Sequence, residues 1–161
     1  MALRSVTGAG APEPGCAALV LELSSSTAEV RAALGQVTEA LGRGGYCAHA
    51  RNCAELVLAE ALNNIVEHAY AGQGPGRIRL WLQGVPGAIR LELRDRGRPM
   101  PDLALPEGRL KPLGHDGDLP EGGFGWYLIR RLAAEVSYRR VGGENVLRLV
   151  LESGPAAGDR G

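Results

Sequence analysis

The sequence predicts an α+β fold, a two-layer α/β sandwich with helices on one face of a mainly antiparallel, mixed sheet. Two stretches, RIRLWLQGV and AIRLELRDRG, alternate apolar and polar residues on either side of a short VPG, the pattern of an antiparallel hairpin. Two longer stretches, SSSTAEVRAALGQVTEALGR and CAHARNCAELVLAEALNNIVEHAY, place apolar residues at helical spacing instead. The order strand, two helices, hairpin, long loop, helix, hairpin then puts the helices together on one side of the sheet.

The elements follow in chain order. Residues 1–15 are rich in Gly, Pro and Ala and read as a flexible tail. CAALVLEL is a strand. A helix over about 26–42 follows, with Ser and Thr available as its N-cap. The second helix is long and stops before the breaker cluster AGQGPG. After the first hairpin, residues 97–123 are dense in Gly, Pro, Asp and Glu, and a loop of that length in a small domain is functional or mobile. FGWYLIRRLAAE is an amphipathic helix, and VSYRR and NVLRLVLES form a second hairpin around VGGE. One domain over 16–153, closed by a flexible tail at 154–161, accounts for the chain.

Composition narrows the function. With 161 residues and 45% apolar content the chain can bury one core, and at 4% aromatic content that core rests on Leu, Val, Ile and Ala. A formal net charge of zero gives no electrostatic case for direct nucleic-acid binding. The sole lysine, Lys111, precedes Pro112, which excludes a P-loop. Cys16, Cys47 and Cys53 are odd in number and at non-metal spacings. Without a charged-then-apolar leader they favour a reduced, cytoplasmic location. No apolar run is long enough for a membrane span.

Three stretches carry chemistry. On the second helix Leu58, Leu62, Ile65, Val66 and Ala69 form a core face, while Glu60, Asn63, Asn64, Glu67 and His68 gather opposite. A plain solvated face would normally carry Lys or Arg partners and avoid paired asparagines, which are poor helix formers. A carboxylate and an amide one turn apart suit instead a hard cation with an activated water or hydroxyl. In LELRDRG, Asp95 ends a strand beside Gly97, where a carboxylate can accept from a ligand amine; a turn Asp followed by Gly is also common without any ligand. In EGGFGWYLIRRL, Gly122, Gly123 and Gly125 open a helix, a place where backbone N–H groups and the helix dipole hold anions.

Taken in order, EALNN, DRG and GGFGWYLIRRL resemble the N-box and the two glycine boxes of the GHKL (histidine-kinase-like) ATPase superfamily. Their spacing and the short chain resemble its anti-sigma-factor serine/threonine kinase branch. The resemblance covers about 19–151. It implies ATP and Mg2+ as cofactors, Asn64 as the Mg2+ ligand, and Glu60 as the general base toward an incoming hydroxyl. It further implies that Asp95 accepts from the adenine amine, that Gly97 leaves room for the base, and that Gly122, Gly123 and Gly125 hold phosphates. The loop at about 101–121 becomes the ATP lid. A STAS-type anti-anti-sigma protein, a sigma factor and a homodimer are the implied partners. Pro99 replaces the second glycine of the family's first glycine box, and Trp126 stands where a smaller aliphatic residue is common.

Two other readings compete. In one, ATP only stabilises the lid of a binding module that switches protein partners; Glu60 argues for the kinase. In the other, the chain is a detached histidine-kinase catalytic domain. His49, His68 and His115 are its only histidines, and none stands in a phospho-acceptor helical hairpin.

Overall fold

The computed structural model describes residues 4–5, 17–109 and 124–154. The sheet contains β1 (Arg4–Ser5), β2 (Ala17–Ser24), β3 (Arg77–Val85), β4 (Gly87–Asp95), β5 (Glu135–Val141) and β6 (Glu144–Gly154). Its order is β1-β2-β3-β4-β6-β5, and every described pairing is antiparallel. The helices α1 (Thr27–Arg43), α2 (Ala48–Asn64) and α3 (Phe124–Leu132) share one core with it. That is the two-layer α+β sandwich the alternation and helical spacing predict, with the correction that the described sheet is antiparallel throughout and not mixed, each strand running opposite to its neighbours. Arg4 and Ser5, within the segment read as a tail, pair with Glu22 and Leu21 as a short edge strand.

The alternation along β2, β3 and β4 sends Leu21, Leu80, Leu91 and Leu93 to the helix side, each no more than 2% exposed. Val37 and Leu41 of α1, Val57, Leu58 and Leu62 of α2 and Ile129 of α3 close over them, all fully buried. Each such side chain contributes about 1.5–3 kcal/mol by leaving water, which is how a mainly aliphatic core, with Tyr46, Tyr70 and Trp126 as its buried aromatics among the described residues, suffices. On the opposite sheet face, Arg94 lies 5.0 Å over the Trp81 ring. Burial alone would raise the Glu92 carboxyl, but hydrogen bonds from Arg148 and Arg94 outweigh it and hold its pKa below the usual range.

The turns follow their residues. Gly87 (φ +80°) lets the chain reverse after Pro86, and Gly142 (φ +58°) and Gly143 (φ +78°) form the β5–β6 turn with the left-handed pair that tight hairpins favour. At the start of α1 the Ser26 hydroxyl accepts from Glu29 N–H at 3.3 Å, while Glu29 Oε2 accepts from Ser24 N–H at 2.6 Å. The two contacts fix the chain's entry into the helix.

The second helix does not end as its periodicity suggests. After Asn64 it widens into a π-helical turn, Ile65–Ala69, closed by Tyr70 N–H donating to Ile65 C=O at 3.1 Å. Val66 and Ala69, expected in the core face, are half-buried as a result. The Tyr70 ring then fills a space that Gly76 leaves by lacking a side chain, and its hydroxyl donates to Arg77 C=O at 2.9 Å and accepts from Arg96 N–H at 3.0 Å. The third helix stops at Leu132, three residues early, because Ala134 N–H turns to Val150 C=O at 2.7 Å and the sheet takes over the chain. Among the described residues no helix is long and apolar enough to cross a membrane.

Candidate functional site

A cavity of about 430 Å³ opens between the C-terminal turns of α2 and the ends of β4 and β6. Asp95 lines it and is only 4% exposed. It is the last residue of β4, and the β4–β6 register sets Asn145 directly beside it. Asp95 Oδ1 accepts from Gly97 N–H at 2.9 Å and from Asn145 Nδ2 at 2.8 Å. Its other oxygen takes no hydrogen bond among the described residues. Burial raises the Asp95 pKa above the usual carboxylate value, an effect the Asn145 and Gly97 hydrogen bonds only partly offset.

Asn145 is the residue that sequence reading missed. Its side-chain NH₂ donates to Asp95 and also to Arg98 C=O at 3.0 Å, while its oxygen accepts from Tyr138 Oη at 2.7 Å and Arg140 at 2.6 Å. Tyr138 Oη in turn accepts from Met100 N–H at 3.0 Å, and Arg140 also donates to Gly97 C=O at 3.0 Å. One amide thereby ties a buried carboxylate, the glycine turn after it and the start of the expected lid into a single network. Asn145→Ala should lower the unfolding free energy by about 1–3 kcal/mol, the cost of leaving buried partners unpaired. Denaturant titration reads this directly.

The helix side of the cavity is polar in a different way. Asn64 is the last residue of α2, and its buried Nδ2 has no hydrogen-bond partner among the described residues. Such an orphaned amide fits a group supplied by a ligand, with its oxygen free for a hard cation and its NH₂ for an anion. His68 lines the cavity too, but Asn63 and Glu67 point to solvent, so the polar stripe is split. The walls also include Ile65, Met100, Trp126 and Leu147, which suit a flat apolar ring.

Glu60 lies one turn before Asn64 and does not line the cavity. It abuts α3 instead: a Cβ at Gly125 would collide with Glu60 Oε2. The expected phosphate-holding helix start and the expected base are therefore in contact. Gly122 and Gly123 lie outside the described residues, as does the lid beyond 109. The described part of that segment packs onto α3: Arg130 donates to Pro106 C=O at 3.1 and 3.3 Å, and Gly108 (φ +65°) sits against the Trp126 carbonyl.

Gly97 is buried against the π turn, where a Cβ would stand 2.6 Å from Ala69 C=O, and Arg98 N–H donates to that same oxygen at 2.7 Å. Gly97→Ala should cost roughly 1–3 kcal/mol through overpacking, seen as a lower Tm. The room that Gly97 keeps is thus taken up by the protein's own backbone. Pro99 lines the cavity beside Met100.

A buried carboxylate acceptor and a helix-borne amide share one partly apolar cavity, a candidate ligand site on an α+β sandwich. The chain belongs to the histidine kinase-like ATPase domain family, whose pattern matches residues 23–151, and ATP binding is what that membership implies. It is similar to the serine/threonine-protein kinase BtrW of Bordetella bronchiseptica, with 33% identity over 136 residues, 84% of this chain and 94% of that protein. Among solved structures it resembles the RsbU and RsbW domains of Rv1364c from Mycobacterium tuberculosis at a TM-score of 0.56 and 19% identity. That match covers 84% of this chain but 32% of the larger one, and it speaks for the fold.

Proposed function

We propose that the chain is an ATP-dependent protein serine/threonine kinase and anti-sigma factor. In this reading it phosphorylates a STAS-type anti-anti-sigma protein and, as the alternative partner, sequesters a sigma factor. The observation that carries the catalytic part is the contact between Glu60 and the start of α3, one helical turn from the unpartnered Asn64 amide. A base, a cation ligand and an anion-holding helix start then gather around the last turns of α2, and an amine acceptor lines the same cavity as the cation ligand.

In this reading the unpaired oxygen of Asp95 would accept from the exocyclic amine of adenine, and Met100, Trp126 and Leu147 would supply apolar wall for the base. Asn64 would hold Mg2+, whose charge would offset that of the phosphates. Gly125, with Gly122 and Gly123 before it, would hold the phosphates. Glu60 takes the proton of the acceptor serine or threonine hydroxyl. The likeness to BtrW, over nearly its whole length, supports the kinase class. The partners rest on the resemblance of the three sequence boxes to the anti-sigma branch.

The test is incubation of the purified chain with γ-labelled ATP, Mg2+ and lysate of its source cell. A single small labelled acceptor is the expected result. Nucleotide binding without any labelled protein would favour the second reading, a module in which ATP only switches partners, and the search would move to proteins that co-purify with it.

A further inference from the structure

Away from the cavity, α2 carries a second pair of donor atoms. His49 and Cys53 are four residues apart on its first turns, and His49 Nε2 lies 3.7 Å from Cys53 Sγ. In a tetrahedral site with bonds of about 2.3 Å to a thiolate and about 2.0–2.1 Å to an imidazole, adjacent ligands stand about 3.6 Å apart. The two side chains already have that spacing. His49 is exposed and Cys53 half-buried, so an ion can reach both. The cysteine spacing alone gives no hint of this, because the second ligand is a histidine one turn away on the same helix face.

A separate observation gives such an ion something to do. Cys47, the N-cap residue of α2, makes no side-chain capping hydrogen bond, and no acidic residue occupies the first turn. A helix start normally gains stability from a side-chain cap. An ion joining residues 49 and 53 would clasp the first turn to the second where that cap is lacking.

We propose that His49 and Cys53 form a two-residue chelate for a thiophilic divalent cation of the zinc class. Among the described residues no third His, Cys, Asp or Glu joins them, so water completes the coordination. On binding, the Sγ–H bond breaks, an Sγ–metal bond forms and the proton leaves to solvent. His49 coordinates through Nε2 as the neutral imidazole with its proton on Nδ1, and no electron changes hands. Without metal, the same contact is a weak hydrogen bond that holds the two donors in place. The assignment does not depend on the kinase reading.

The experiment is titration of the reduced chain with Co2+ as the probe, followed by competition with Zn2+. A thiolate-to-cobalt charge-transfer absorption saturating at one equivalent is expected, and Zn2+ should raise the Tm. Cys53→Ser should lose the absorption. His49→Ala, at an exposed position, should weaken Zn2+ binding by about tenfold or more while melting like the parent without metal. Cys16→Ser and Cys47→Ser should behave as the parent chain does. Absorption surviving Cys53→Ser, unchanged affinity in His49→Ala, or absence of saturable binding would overturn the assignment.

Discussion

Glu60→Gln should bind ATP as the parent chain does and transfer phosphate about 10²–10⁴-fold more slowly, the usual worth of general-base assistance. The reasoning is geometric. Glu60 does not line the cavity, so its loss leaves Asp95 and the apolar walls untouched. Glutamine keeps the volume and the contact with Gly125, so the start of α3 need not move. What disappears is the ability to accept a proton. Single-turnover transfer to the acceptor, measured beside equilibrium nucleotide binding, separates the two effects. Equal rates in variant and parent would remove Glu60 from the mechanism.

Asp95→Asn should do the reverse, weakening nucleotide binding while sparing the fold. An amide at this position can present NH₂ to the adenine amine, donor against donor. Losing a hydrogen bond to a charged acceptor costs about 1.5–3 kcal/mol, or roughly 10- to 150-fold in Kd. Stability should respond differently. Asparagine retains an oxygen for Gly97 N–H and Asn145 and no longer buries a charge. The sign is set by the raised pKa of Asp95. The folded state holds that proton more tightly than the unfolded chain does. The associated stability is fully present below the unfolded value of about 3.9, and it is lost as pH rises through the higher folded value. The parent chain should thus lose stability relative to Asp95→Asn across that window, by denaturant titration without nucleotide. A variant less stable than its parent at neutral pH would show that the Asp95 charge is fully compensated within the protein.

Much of this was legible in the chain because it rests on local periodicity. Alternation in RIRLWLQGV and AIRLELRDRG requires a half-buried hairpin, and Gly87 serves the turn between them. Ser26 caps α1 as its residue type suggests. Asn64 and Asp95 meet in one cavity as the order of the motifs implies. Pairings between distant segments were not legible. Asn145 acquires its role only because β6 lies against β4 in a register that sets it opposite Asp95, and nothing in VGGENV announces that partner. The π turn was equally hidden: a helical wheel at 100° per residue carries Val66 and Ala69 into the core, whereas the wider turn brings them only partway.

That π turn can also be read as a matter of residue count. It takes one more residue to close than an α turn, here closed between Tyr70 and Ile65. Deleting any one residue within Ile65–Ala69 would leave Glu60 and Asn64 in place on α2. Closing on Ile65 as an α turn, the shortened helix would carry the aromatic ring that follows to nearly the same place, because five residues of a π turn and four of an α turn both complete about one turn. The π turn thus stores one residue without changing the direction in which the chain leaves the helix toward Gly76 and Arg98.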